Sequence, residues 1–211
     1  MELNILYEDE HIVVCQKPVG IVSEETENGD GLANLLAERV GGYIATVHRL
    51  DRAVGGVMVY AKSKLAAARL STAVQDRTLK KEYLAIVHNT PDVPMGRMTD
   101  LLFHDRLKNK TFTVDRARRG VKEAILDYEL IRSWDDEEFG LLSLVRIQLL
   151  TGRTHQIRVQ FASRQMPLLG DGKYGARDRC DVMLFCRQLS FPHPKTGKPL
   201  LFSAEPDWKY V

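Results

Sequence analysis

Short apolar runs separated by polar turns dominate the N-terminal part of the chain. Residues 4–7 and 11–15 read as two short strands around the polar turn Glu8-Asp9-Glu10. Lys17-Pro18-Val19-Gly20 breaks that pattern. Leu32, Leu35, Leu36 and Val40 then recur at helical spacing, which predicts a helix capped by Asp30 and ended by Gly41. Residues 46–52 read as a strand end and a loop, and 56–61 as an apolar strand with Val57 and Val59 on one face. Ser63 is placed to cap a second helix through Arg77, with Ala66, Leu70, Ala73 and Val74 as its buried stripe. Farther on, alternation predicts strands at 82–88, 123–131, 141–149 and 183–191, and a returning strand at 199–202. Thr154 reads as the cap of a short helix ending near Arg164.

Strands outnumber helices, and the helices interrupt them without a regular βαβ rhythm. That predicts an α+β class with a large, mostly antiparallel mixed sheet rather than a doubly wound parallel one. No internal repeat or linker divides the chain, so residues 1–211 are expected to form a single domain.

Composition narrows the setting more than the activity. Lys and Arg number 30 against 28 Asp and Glu, so any anion-binding surface must come from local clustering. The 3 cysteines are an odd number and form no C-x-x-C pair, which argues against a disulfide framework or a structural zinc and for a reducing compartment. The start MELNILYEDE has no basic, apolar leader, and no apolar run approaches the ~18 residues of a membrane span. A soluble, cytoplasmic protein is expected.

Four segments hold polar residues that a packed fold does not require. His48-Arg49-Leu50-Asp51-Arg52, with Gly55-Gly56 after it, crowds charge into a loop between apolar strands; it is either a solvated turn or a site the glycines let a ligand approach. Lys80-Lys81-Glu82-Tyr83 puts Tyr83 on a strand face with small apolar residues, where it could stack on a base or move a proton, or simply pack. Thr151-Gly152-Arg153-Thr154-His155-Gln156-Ile157-Arg158 turns a strand into a helix with His155 and Arg158 on one face, suited to an anion or to water. Arg106, Lys108, Lys110, Arg116, Arg118, Arg119 and Lys122 form a basic stretch that could follow a phosphate backbone or be a solvated hairpin. The G-x-G-x-x-G match at 170–175 lacks a preceding strand and a following apolar helix, so a dinucleotide site is rejected.

Taken together, the motifs resemble the pseudouridine synthases that modify ribosomal and transfer RNA. HRLD with GGVMVYAKS resembles the catalytic motif, KKEYLAIV the tyrosine motif and LLTGRTHQIRVQFA the arginine motif of that family. NILYEDEHIVVCQKPVG, PLLGDGKYG and LSFPHPKTGKPLLF resemble its opening, the segment after the arginine helix and the closing hairpin, in order from Asn4 to Phe202. Relatives often carry Asp-Thr-Ser after the HRLDR run, where this chain has Ala53, Val54 and Gly55, and Leu-His-Ala where it has Leu184, Phe185 and Cys186. The small N-terminal RNA-binding domain of many relatives is not seen.

The resemblance implies the family's fold, with helices flanking the sheet and a central cleft. It implies conversion of uridine to pseudouridine in RNA, ribosomal or transfer, without metal or organic cofactor, by a monomer that does not bind membranes. Asp51 is then the expected nucleophile, attacking sugar or base. Tyr83 is expected under the flipped uracil, Arg158 within hydrogen-bond reach of Asp51, and Arg49 in the space the base vacates. His48, Arg52, Arg106, Lys108, Lys110, Arg116, Arg118, Arg119, Arg153 and His155 are expected to face RNA. Two other classes compete: a metal-dependent phosphohydrolase built on His48, Asp51, His104 and Asp105, and an RNA-binding module without catalysis.

Overall fold

The computed structural model describes residues 3–210. In chain order the elements are β1 (Asn4–Glu8), β2 (Ile12–Lys17), α1 (Leu32–Val40), β3 (Ala45–Thr46), β4 (Gly55–Ala61), α2 (Lys64–Gln75), β5 (Lys80–His88), β6 (Met95–Asp105), β7 (Lys110–Val114), β8 (Val121–Asp136), β9 (Gly140–Leu149), α3 (Gln156–Ala162), a single 3-10 turn at Gly172–Tyr174, β10 (Leu184–Pro192) and β11 (Pro199–Ser203). The chain forms two compact units, one of Met1–Lys81 with Phe185–Val211 and one of Glu82–Leu184.

In the first unit the strands run in the order β1-β2-β4-β10, with β11 on β10 and β3 on β4. All pairings are antiparallel except β4 with β10. The sequence GGVMVYA of β4 has no charged residue, and every position of the strand is buried. Its Val57 and Val59 pack with Ile12 and Val14 of β2 against Ala66, Leu70 and Ala73 of α2. On the opposite face Tyr60 donates its hydroxyl to the Ser23 carbonyl at 2.9 Å. Ser63 caps α2 by accepting the Ala66 amide. The cap of α1 differs from the sequence expectation: Gly31, not Asp30, is the N-cap residue. A Cβ at that position would stand 2.0 Å from the Glu24 carbonyl oxygen, and the Asp30 carboxylate accepts the Thr26 hydroxyl instead.

The second unit is an antiparallel sheet in the order β5-β9-β8-β6-β7. β6 and β7 form a hairpin whose turn begins the basic stretch, in line with the hairpin reading of that stretch, although alternation does not mark its strands; β8 is longer than expected, continuing to Asp136 past an irregularity between Leu130 and Arg132. Helix α3 begins at Gln156, and its N-cap is His155 in a left-handed conformation (φ 54) rather than Thr154. Val159 of α3 packs with Leu102 and Ala124 of the sheet. The pairing throughout is the mostly antiparallel, mixed α+β arrangement that the sequence predicts.

Candidate active site

The loop carrying Asp51 is clamped on several sides within the first unit. Ser23 Oγ donates to the Leu50 carbonyl at 2.8 Å and accepts the Leu50 amide at 3.1 Å. The Gly20 amide donates to the Arg52 carbonyl at 2.8 Å, and Arg52 Nε returns a bond to the Gly20 carbonyl at 2.7 Å. The Val54 amide closes the turn onto the Asp51 carbonyl at 2.9 Å. Asp51 itself is half-buried, while Arg52 is exposed. Arg49 is 65% exposed and pairs with Glu24 at 2.8 Å.

Beneath this loop lies Lys17, 0% exposed. Its Nζ donates to the Pro18 carbonyl at 2.9 Å and to the Arg52 carbonyl at 3.4 Å. Burial pulls its pKa down to about 8, opposed by the charge of Asp51. His48 is 6% exposed and accepts the Val59 amide on Nε2 at 3.2 Å. That bond makes Nδ1 the protonated nitrogen of the neutral ring, and burial holds the pKa well below the ordinary value. His48 therefore braces the loop against β4. The two glycines serve packing as well: Gly56 has φ 128, and a Cβ there would lie 2.4 Å from the Cys186 carbonyl oxygen, so they admit β10 rather than a ligand.

In the second unit Arg158 is carried by α3 into the interior. Its Nε and Nη2 each donate to Asp171 at 2.7 Å, and Asp171 is 0% exposed. The guanidinium carbon lies 5.2 Å from the centre of the Tyr174 ring. The Tyr174 hydroxyl accepts the Thr111 amide at 2.9 Å and bonds His155 Nδ1 at 2.8 Å. Burial raises the Tyr174 pKa, so the phenol remains protonated. His155 is buried in this arrangement. Arg153 is half-buried, with Nε donating to the Glu123 carbonyl at 2.8 Å. Tyr83 sits on β5 opposite Ile147 and is 4% exposed.

The basic stretch occupies the β6–β7 turn and the segment leading into β8. Arg106, Lys108, Arg116, Arg118 and Arg119 are exposed, and Lys110 is half-buried over the Tyr174 ring at 5.3 Å. The Asp105 carboxylate accepts the Leu107 and Lys108 amides, fixing the turn. That role, the Thr111 contact of His104 Nδ1 at 3.1 Å and the Val59 contact of His48 account for three of the four residues offered as phosphohydrolase ligands, Asp51 being the fourth. Among the described residues no three His, Cys, Asp or Glu side chains group as a metal site. A cleft of about 570 Å³ beside Arg97, Tyr128 and Arg164 includes none of the sequence-identified residues.

Sequence reasoning passed over Lys17, Asp171 and Tyr174. The last two lie in the glycine-rich match set aside as a decoy; no nucleotide fold surrounds it, and its Asp and Tyr build the Arg158 environment.

A family model described as RNA pseudouridylate synthase matches residues 11–163. The chain belongs to this family. It is an RNA pseudouridine synthase, an isomerase acting on uridine in RNA. The "Uncharacterized RNA pseudouridine synthase YhcT" of Bacillus subtilis is 35% identical, covering 96% of this chain and 68% of its own length. The "Ribosomal large subunit pseudouridine synthase D" of Xanthomonas campestris is 34% identical, covering 96% of this chain and 65% of its own. The solved structure titled "Human RNA Pseudouridylate Synthase Domain Containing 4" superposes with a TM-score of 0.77 at 25% identity, over 97% of this chain and 89% of that one. No described helix of the synthase is long and apolar enough to cross a membrane.

Proposed function

We propose that the synthase isomerises uridine in ribosomal RNA as a monomeric, cytoplasmic enzyme of one catalytic domain, with Asp51 as nucleophile and no cofactor. The observation that carries the assignment of Asp51 is its loop: a carboxylate on a backbone held by Ser23, Gly20 and Lys17. A nucleophile must be presented in one geometry, and such clamping reduces what has to be ordered on the way to the transition state. The choice of ribosomal RNA rests on relatives named as ribosomal large subunit synthases C and D, at 30% and 34% identity.

In this reading the target uridine leaves its stack at a cost of about a few kcal/mol, and Arg49 takes up the vacated space. The Asp51 carboxylate bonds covalently to the nucleoside, the bond from N1 to the sugar breaks, and the uracil turns. Carbon five then bonds the sugar as the bond to Asp51 breaks, carbon five loses its proton, and N1 takes one up. No electrons are gained or lost overall, so covalent carboxylate catalysis is sufficient. Tyr83 stacks on the uracil and takes the proton late in the reaction. Arg158 supplies the positive charge that the attacking carboxylate requires, through a guanidinium that Asp171 orients by two hydrogen bonds. Exposed cations from Arg106 to Arg119 hold the phosphates.

The test is pseudouridine mapping in RNA from cells with and without the protein, followed by reconstitution with purified enzyme. Asp51→Asn keeps the shape and removes the nucleophile; it is expected to abolish turnover while binding RNA normally. Near-normal pseudouridine formation by Asp51→Asn would overturn the assignment, and an unchanged ribosomal RNA map would overturn the substrate.

A further inference from the structure

The turn that joins β6 to β7 is Arg106-Leu107-Lys108-Asn109, closed by the pairing of Asp105 with Lys110. The Asp105 carboxylate accepts the Leu107 amide at 3.0 Å and the Lys108 amide at 3.1 Å, and Asn109 completes the reversal in a left-handed conformation (φ 43). Asp105 and Asn109 do what such a turn requires, and any polar side chain would serve at position 107. It carries instead a leucine that is 100% exposed, whereas the other exposed large apolar residues among those described lie between 37% and 68%. A single apolar residue at the surface is ordinary. This one is wholly bare, sits on a turn stiffened at its own amide, and stands between two exposed cations, Arg106 and Lys108.

The hairpin is also tied to the surroundings of Arg158. Lys173 Nζ donates to the Asn109 carbonyl at 3.0 Å, the Thr111 hydroxyl to the Thr154 carbonyl at 2.9 Å, and the Thr111 amide to the Tyr174 hydroxyl at 2.9 Å. The Tyr174 ring is the one that the Arg158 guanidinium approaches at 5.2 Å. We propose that Leu107 is an RNA wedge: it packs against the face of an unstacked nucleobase beside the target uridine, while Arg106 and Lys108 meet the phosphates on either side. This rests on the reading of residues 106–119 as the surface that holds the phosphates. A uridine that leaves its stack bares the faces of neighbouring bases. An apolar side chain that covers such a face removes both surfaces from water, which is how proteins that kink nucleic acids use leucine.

The contribution of a wedge is separable from that of the cations around it. The salt dependence of binding counts the phosphates met by positive charge, and a leucine adds nothing to it. Leu107 should therefore tighten binding by the same factor at every salt concentration. Because it buries nothing in the free protein, its replacement opens no cavity and leaves the fold as stable as before.

The experiment uses a fluorescently labelled RNA fragment carrying the uridine that pseudouridine mapping identifies. Its affinity is measured by anisotropy across a salt series, together with the melting temperature of each protein. Leu107→Ser should weaken binding by about tenfold, with the salt slope and the melting temperature unchanged, and Leu107→Met should recover most of the loss. The bases of the fragment are then probed with dimethyl sulfate and carbodiimide in complex with Asp51→Asn. A base beside the target uridine should become reactive on binding, and adding Leu107→Ser should abolish that enhancement while the uridine itself stays reactive. Natural affinity in Leu107→Ser, or no enhanced base beside the uridine, overturns the proposal; the first result would assign the exposed leucine to a protein partner instead. A loss of affinity that comes with a lower melting temperature, or that Leu107→Met does not recover, overturns it as well, because the role would then be structural. Reversal of Arg116, Arg118 and Arg119 to Glu is run in parallel. A natural salt slope there sinks the phosphate reading, whereas a shallower slope beside natural binding by Leu107→Ser sinks the wedge alone.

Discussion

Arg158 is a cation brought into the interior by α3, and Asp171 meets it through two parallel bonds of 2.7 Å. Removing one member of a buried pair costs about 3–5 kcal/mol, because the surviving charge keeps its desolvation penalty. Asp171→Ala should therefore lose about that much in chemical denaturation, while Asp171→Ala with Arg158→Met should lose less than the two single changes combined. Additive losses would show that the pair is not coupled. His48 makes a second residue-level prediction. The folded chain keeps its ring neutral, whereas the unfolded chain takes up a proton below about pH 6.5. The unfolded state then binds more protons, so stability falls as pH falls below that value, by up to about 1.4 kcal/mol per unit from this group. His48→Gln should flatten that part of the stability curve, and an identical slope in the variant would refute the neutral assignment.

At the level of elements, the contact between β4 and β10 depends on the absence of a side chain. Gly56 combines φ 128 with a projected Cβ 2.4 Å from the Cys186 carbonyl oxygen and 2.5 Å from its amide nitrogen. Strain and the clash act together, so Gly56→Ala should cost about 3 kcal/mol or more and should loosen the parallel pairing. Hydrogen exchange at Cys186 and Arg187 would report it; unchanged protection would contradict the packing role. The sequence displays two glycines here but not what approaches them, since nothing local tells a ligand from a strand more than a hundred residues away in the chain. The same limit explains the other discrepancies. β4 and α2 were legible because Val57, Val59, Ala66 and Leu70 repeat at the period of their own element. β6 was not, because Met95-Gly96-Arg97-Met98-Thr99-Asp100 mixes polar and apolar residues without alternation, and its pairing with β7 and β8 defines it. Asp51, Tyr83 and Arg158 were picked out through motifs; Lys17 and Asp171 show their meaning only once folding surrounds one with loop carbonyls and brings the other to Arg158.

For the molecule as a whole, a net charge of +2 offers almost no general attraction to a polyanion, so binding must depend on where the cations stand. Arg116, Arg118 and Arg119 are exposed together between β7 and β8. The Arg118 guanidinium lies 5.1 Å from the centre of the Phe103 ring, which holds the segment close to the hairpin without neutralising its charge. Each phosphate met by such a cation releases a counterion, and the logarithm of the binding constant then falls with the logarithm of salt by about 0.7–0.9 per contact. Reversing all three to Glu should weaken RNA binding at low salt and make that slope shallower by about 2. Asp51 stands outside this segment, so Asp51→Asn should leave the slope unchanged. The measurement is a fluorescence-anisotropy titration with a labelled ribosomal RNA fragment across a salt series, for the natural protein and both variants. If the triple reversal binds with the natural slope, the phosphates are held elsewhere. Loss of affinity with an unaltered slope would mean that the segment acts through shape rather than charge.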